Sequence, residues 1–240
     1  MRRLSCLLAA ALLGPAVNTW AAEPEAGAAA YALAQREQGL TGQPINLAQA
    51  FSHLQRAAEA GHVRAQTDLA FAYMNGQALA PQDLEKAFHW FQKAAIAGSV
   101  PAQCMLGDFH QRGMGGARQD DAEAARWYLK SAGQDDRCAA RSQYALFLAY
   151  EAGRGVPRDL GTAIAWLRRA AEADNPVAQA ALGRAYLRGH GVEPNAEHAR
   201  RWLRLAREGV SPHEDHVHDS RSFASPGLME RLAPPAPLLR

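Results

Sequence analysis

The most regular hydrophobic pattern in the chain lies between residues 159 and 171. Leu160, Ile164 and Leu167 recur at spacings of four and three residues, which is the apolar stripe of an amphipathic helix. Asp159 precedes this stripe, and a short side-chain oxygen in that position accepts hydrogen bonds from the unpaired N–H groups of a first helical turn. The pattern therefore predicts a helix that begins directly after an aspartate cap.

The same arrangement of cap, alanine and tryptophan recurs along the chain. In five places an asparagine or aspartate is followed four residues later by alanine, and the successive spacings are 37, 37, 39 and 36 residues. A fixed period of roughly 20–50 residues is typical of repeat architectures. We interpret the caps and the regularly placed tryptophans as structural elements, not as catalytic carboxylates or ligand-stacking platforms. The predicted caps are Asn46, Asp83, Asp120, Asp159 and Asn195, and the tryptophans are Trp90, Trp127, Trp166 and Trp202.

A second helix is predicted ahead of each cap. It carries a glutamine beside small residues, then a leucine, and a glycine that lies six or seven residues before the next cap. Glycine closes a helix readily because it adopts the left-handed C-cap conformation without a Cβ clash. Gly39 has the same relation to Asn46, so a degenerate first repeat is predicted from about Gly27. The leucines are Leu69, Leu106, Leu146 and Leu182, and the closing glycines are Gly76, Gly113, Gly153 and Gly189.

The complete pattern, A-x-x-x-L-G-x-x-Y-x-x-G-x-G-V-x-x-D-x-x-x-A-x-x-W-x-x-x-A-A, resembles the Sel-one-like repeat, a relative of the tetratricopeptide repeat. Its best copies run from Gln143 to Ala171 and from Ala178 to Ala206. The resemblance implies an all-α, right-handed superhelical solenoid of about five antiparallel two-helix repeats, with the first helices on the concave side. The predicted solenoid covers residues 27–209, with units at about 27–61, 62–98, 99–136, 137–174 and 175–209.

The resemblance also implies a function, because members of this family act as adaptors and scaffolds in protein–protein interactions. We therefore expect a non-catalytic scaffold that binds a protein or peptide in its concave groove. Replacing Arg184 and Phe71 is expected to weaken the binding of a partner without unfolding the repeats. The candidate partner-binding residues are Phe71, Met74, Asp108, Gln111, Tyr144, Glu151, Arg184 and Leu187.

The alternative function is that of an enzyme or a ligand-binding protein acting on cell-wall material. The sequence contains no nucleophile elbow, phosphate-binding loop, H-E-x-x-H or C-x-x-C motif, so no catalytic residue is assigned and no cofactor is expected.

The two ends of the chain differ from the repeats. Arg2 and Arg3 precede an apolar run to Val17, which is typical of a secretory signal peptide over residues 1–22, cleaved near Ala21 or Ala22. We expect a periplasmic or secreted protein with no membrane span after cleavage. Residues 210–240 are predicted to form a largely disordered tail with one short capping helix. A metal site at His213, His216 and His218 is the alternative reading of that tail.

The charge of the chain limits the class of partner, and its cysteines bear on a disulfide. The chain has 26 Lys+Arg and 24 Asp+Glu; the leader removes two arginines, which leaves 24 of each sign. Nucleic-acid binding usually requires a basic footprint, so no nucleic-acid partner is expected. We expect a protein or peptide partner and a monomeric chain. Cys104 and Cys138 remain after cleavage, and an oxidising compartment permits a disulfide between them. Two buried free thiols are the alternative.

Overall fold

The computed structural model describes residues 19–37, 46–76, 80–134 and 137–209. Within these ranges the chain forms ten α-helices and no β-strand, as an all-α repeat fold requires. The helices are α1 (Thr19–Glu37), α2 (Leu47–Glu59), α3 (Val63–Asn75), α4 (Leu84–Ile96), α5 (Val100–Arg112), α6 (Asp121–Ala132), α7 (Arg137–Ala152), α8 (Leu160–Glu172), α9 (Pro176–Arg188) and α10 (Ala196–Glu208).

The chain divides into two compact units, one up to His62 and the other from Val63. In the first unit α1 packs on α2, and the Tyr31 ring stacks on His62 with 4.5 Å between ring centroids. The predicted cleavage point at Ala21 or Ala22 falls inside α1. Residues 1–18 lie outside the described residues, so the leader stays a prediction.

The second unit consists of four helical hairpins in sequence. Helix α3 pairs with α4, α5 with α6, α7 with α8, and α9 with α10. Each hairpin also packs on the next, because α4 contacts α5, α6 contacts α7, and α8 contacts α9. An amphipathic hairpin cannot bury its apolar face alone, so this stacking provides a continuous core.

The predicted caps are confirmed at all five positions. Each side-chain oxygen accepts from a backbone N–H two or three residues further on, for example Asp120 Oδ1 from Ala122 N and Glu123 N, both at 2.9 Å. These bonds satisfy N–H groups that the helix itself leaves without a partner. The other acceptor and donor pairs are Asn46 with Gln49, Asp83 with Lys86, Asp159 with Thr162, and Asn195 with Glu197 and His198.

The capping residues also close each hairpin through their own backbone. Asp83 N–H donates to the Tyr73 carbonyl at 2.9 Å, and the same bond joins Asp159 to Tyr150 at 3.0 Å. The tyrosine position of the repeat therefore supplies a backbone acceptor that fixes where the second helix starts. Equivalent bonds run from Asp120 to His110 and from Asn195 to Tyr186.

The glutamine of the repeat joins one hairpin to the next. Gln143 Nε2 donates to the Ala132 carbonyl at 2.8 Å, and Gln179 Nε2 donates to the Ala171 carbonyl at 3.2 Å. These acceptors lie in the last turn of the preceding helix, where carbonyls have no intrahelical partner. Gln103 makes the same bond to the Ala95 carbonyl at 3.2 Å. The glutamine thus sets the register between successive repeats.

The repeated leucines and one tryptophan form the core. All four predicted leucines are 0% exposed, and Trp166 is 3% exposed, so its interpretation as a packing residue is confirmed. Trp90, Trp127 and Trp202 are half-buried. Three of the tryptophans make a cation–π contact with a basic residue one turn further along the same helix. The pairs are Trp90 with Lys93 at 4.4 Å, Trp127 with Lys130 at 4.0 Å, and Trp166 with Arg169 at 4.8 Å, each measured to the ring centroid.

One loop glycine fixes the contact between two hairpins. Gly155 follows α7 and has a φ of +71°, a region that residues with a side chain rarely adopt. A Cβ at this position would overlap the backbone carbonyl of Asp121, at the start of α6. The loop can therefore approach the preceding hairpin only because residue 155 has no side chain.

We expect Gly155→Ala to lower the free energy of unfolding by roughly 2–5 kcal/mol, from backbone strain and overpacking together. Gly116→Ala is the matched control: its φ is +80°, but no atom lies within 4 Å of its Cβ position, so only strain remains. Its expected cost is roughly 1–2 kcal/mol. Equal losses for the two variants in urea unfolding would contradict the close contact.

The aspartate caps make the stability of the protein depend on pH. The hydrogen bond from Glu123 N–H holds the pKa of Asp120 below its ordinary value of 3.8, and bonds from Lys86 and Thr162 lower the pKa of Asp83 and Asp159. A carboxyl whose folded pKa is depressed stabilises the fold above its unfolded pKa. That contribution is lost as the pH falls through the folded pKa.

Asp120→Asn should keep the cap, because an amide oxygen accepts the same bonds, but it removes one titrating group. We therefore expect near wild-type stability at neutral pH and a smaller loss of stability than wild type below about pH 4. Thermal unfolding followed between pH 2 and pH 6 measures this; identical pH profiles for the two proteins would contradict it.

Candidate functional site

An open groove lies between α7 and α9, with α8 as its floor. Its volume is about 460 Å³, within the range typical of binding sites. We call it the α7–α9 groove. It is lined by Tyr144, Phe147, Leu148, Glu151, Ile164, Leu167, Ala181, Arg184, Ala185, Arg188, Gly189 and His190.

Helical spacing places the groove residues on facing sides of α7 and α9. Tyr144, Leu148 and Glu151 are four and three residues apart, so they lie along one face of α7. Arg184 and Arg188 are one turn apart on α9. The groove therefore brings together Tyr144, Glu151 and Arg184, three of the predicted partner-binding residues.

The groove has an apolar floor and charged walls. Phe147 and Ile164 are 6% and 3% exposed and belong to the core beneath it. On the α7 side, Glu151 Oε1 lies 3.0 Å from His190 Nε2. On the α9 side, Arg184 and Arg188 are exposed, and neither side chain makes a hydrogen bond or ion pair with any other residue that the structure describes. Two guanidinium groups thus have donors available for a ligand.

A second groove, between α3 and α5, contains Phe71. Its volume is about 660 Å³ and its lining includes Arg64, Asp68, Thr67 and Ser99. The polar groups of this groove bond to one another: Arg64 Nε lies 3.3 Å from Asp68 Oδ1, and the Thr67 and Ser99 hydroxyls are 2.8 Å apart. The second groove therefore has fewer polar groups available to hydrogen-bond a ligand than the α7–α9 groove.

Phe71 is also part of the packing. Its ring meets Phe91 edge to face with 5.0 Å between centroids, and Phe91 is 0% exposed. A change at Phe71 would consequently disturb the core, so Arg184 is the cleaner of the two positions for testing partner binding.

Asp108 lies in an internal hydrogen-bond network, and the half-buried Gln111 is joined to the same network. Asp108 is only 5% exposed, and its Oδ1 accepts from the Tyr128 hydroxyl at 2.7 Å. Its Oδ2 pairs with Arg141, and Tyr128 also bonds Gln111 Oε1 at 3.3 Å. Burial, together with the Asp108 charge, raises the pKa of Tyr128 well above its usual range. The sequence had suggested that Asp108 faces a partner, but its carboxylate is engaged inside the protein instead.

The last two predicted residues lie outside both grooves. Met74 is half-buried near the end of α3. Leu187 is 55% exposed on α9, three residues after Arg184, so its side chain extends the exposed surface beside the α7–α9 groove.

Sequence reasoning did not assign Arg188 and His190 to the site. His190 lies in the loop after α9 and meets Glu151, which is 39 residues earlier. The two residues hold different positions in their repeats, because equivalent positions such as Leu146 and Leu182 lie 36 residues apart. The repeat spacing therefore gave no signal for this pair.

A family model of the Sel1 repeat matches the chain five times, at residues 27–62, 63–99, 100–136, 140–175 and 176–209. The chain belongs to the Sel1 repeat family. Sel1 repeat proteins are typically protein-interaction scaffolds and are generally non-catalytic. No curated protein matches this Sel1 repeat protein in sequence.

A solved structure agrees with the family assignment. The chain is 28% identical to a Sel1 repeat protein from Oxalobacter formigenes, with a TM-score of 0.67 over 76% of this chain and 72% of the other. It is 26% identical to c5321, a protective antigen of uropathogenic Escherichia coli with an SLR fold, with a TM-score of 0.47. That match covers 79% of this chain but only 47% of the antigen, so the chain spans about half of its length.

The described part of this Sel1 repeat protein contains no helix long and apolar enough to cross a membrane. It also contains no group of three or more histidine, cysteine or acidic side chains able to hold a metal ion. The alternative metal residues His213, His216 and His218 lie in the tail, outside the described residues.

The two cysteines of the repeats lie side by side. Cys104 on α5 is 1% exposed, Cys138 on α7 is half-buried, and both are free thiols in this structure. A hydrogen bond between them lowers the pKa of the Cys104 thiol below its ordinary value of 9.0. The disulfide between these neighbouring thiols stays a prediction.

We expect the oxidised protein to contain a Cys104–Cys138 bond that stabilises the fold by roughly 2–4 kcal/mol. Alkylation during denaturation, followed by mass spectrometry, should find both cysteines blocked until a reductant is added. Cys138→Ser is the control, because its unfolding should no longer respond to reductant. Two alkylated cysteines after exposure to oxidised glutathione would contradict the bond.

Proposed function

We propose that this Sel1 repeat protein is a non-catalytic adaptor, exported to the periplasm or secreted, that binds a protein or peptide partner in the α7–α9 groove as a monomer. One observation carries the proposal: two exposed arginines without partners among the described residues stand over an apolar floor in an open groove. Arginine and tyrosine are enriched among the residues that dominate interface energies, and Tyr144 lies on the opposite wall.

The rigidity of the groove favours binding. Gln143 anchors α7 to the end of α6, and Gln179 anchors α9 to the end of α8. A partner would thus meet walls whose spacing is already set, which reduces the entropy cost of association. The family's typical role as a protein-interaction scaffold supports the same function.

The alternative is an enzyme or a ligand-binding protein acting on cell-wall material. The polar residues that line the groove are Tyr144, Glu151, Arg184, Arg188 and His190. None of these is a serine, threonine or cysteine, so hydrolysis through an acyl-enzyme has no nucleophile there. Glycoside hydrolysis ordinarily uses a pair of carboxylates, and the groove lining contains one, Glu151.

Affinity capture from native cell extracts tests the adaptor function, with the full chain as bait and Arg184→Ala as the variant. We expect the variant to retain roughly tenfold less partner than wild type, with an unchanged melting temperature because Arg184 is exposed. Arg200→Ala on α10 is the matched control, an exposed arginine outside the groove, and it should retain the wild-type amount.

Equal retention by wild type and Arg184→Ala would exclude the α7–α9 groove as the partner site. Retention of glycan or muropeptide without a protein partner would favour the alternative function.

A further inference from the structure

We infer that the segment bound in the α7–α9 groove is an acidic peptide that carries a large apolar side chain next to its carboxylates. This inference rests on the proposed function and specifies the chemistry of its partner. It follows from three features of the groove: its net positive charge, its exposed apolar surface, and its difference from two other polar surfaces of the described residues.

The residues that line the groove carry a net positive charge. Its lining contains two arginines and a single carboxylate, Glu151, which is already engaged with His190 at 3.0 Å. Arg184 and Arg188 are one helical turn apart, so their guanidinium groups present donors to the same stretch of a ligand. Carboxylates accept such donors in pairs, which gives geometric as well as electrostatic selectivity.

The apolar surface lies directly beside these arginines. Tyr144 and Leu148 are half-buried on the facing wall, and Leu187 is 55% exposed one turn from Arg184. A cavity of about 460 Å³ has room for side chains, and burying one apolar side chain there removes that surface from water. The bound segment therefore needs an apolar residue as well as negative charge.

Two other polar surfaces among the described residues each lack one of these two properties. In the groove between α3 and α5, Arg64 already pairs with Asp68, so its charge is balanced internally. On α10, Arg200 and Arg204 have the same one-turn spacing, but the pocket beside them is lined only by charged residues and His198. The α10 arginines thus have positive charge without an apolar floor.

Selection from a displayed library of random 12-residue peptides tests the inference. Peptides selected on the wild-type chain should be enriched in aspartate or glutamate beside an aromatic or large aliphatic residue. The double variant Arg184→Glu, Arg188→Glu should bind these peptides about tenfold more weakly, and their binding to wild type should weaken as salt is raised. The matched control Arg200→Glu, Arg204→Glu makes the same charge change on α10 and should keep wild-type binding.

The outcomes of the peptide selection distinguish the acidic-peptide inference from the proposed function, partner binding in the α7–α9 groove. Enriched peptides without an acidic bias, whose binding Tyr144→Ala abolishes, would overturn the inference and leave the groove as the binding site. The inference would also be overturned if acidic peptides no longer bound the α10 variant but still bound the groove variant. Selection that enriches no peptide would overturn both.

Sedimentation of the purified chain adds one further outcome. A dimer that the groove variant abolishes would identify a second copy of this chain as the occupant and would overturn the acidic-peptide assignment. A monomer for all three proteins is the expected result.

Discussion

The structure from Val63 onward depends on one repeated interaction, the hydrogen bond from a glutamine side chain to the end of the preceding helix. Each helix end leaves carbonyls that have no intrahelical partner, and burying them without one is unfavourable. Gln103, Gln143 and Gln179 satisfy such carbonyls from the following hairpin. A single side chain thereby both completes one repeat and positions the next.

The groove is a consequence of that register. Helices α7 and α9 both pack on α8, and a glutamine ties each of them to the helix before it. Gly155 brings the loop after α7 against the start of α6, which restrains the same hairpin from its other end. The groove walls are therefore held by residues of the repeat, while Tyr144, Arg184 and Arg188 occupy positions that the repeat leaves free to vary.

The repeat positions were predictable because their causes are local. A cap needs only the following turn, and the buried leucines and Trp166 follow from helical periodicity, so five repeats and their helices could be derived from spacing alone. The burial of Asp108 was not predictable in this way, because it depends on residues outside its own helix. These are Tyr128, from the second helix of its own hairpin, and Arg141, from the next hairpin. Tyr128 reaches it only because Gly107 leaves room for the ring. The contact of His190, in the loop after α9, with Glu151 on α7 likewise joins two repeats, and a helical pattern carries no information about which residues of neighbouring repeats meet.

Hydrogen–deuterium exchange of the chain, alone and saturated with its captured partner, most directly tests whether the α7–α9 groove binds that partner. Binding there predicts slower amide exchange at residues 144–151 and 184–190, with little change in α3 and α10, because a ligand suppresses local opening of the helices it contacts. Slower exchange confined to α3 and α5, or to α10, would contradict partner binding in this groove.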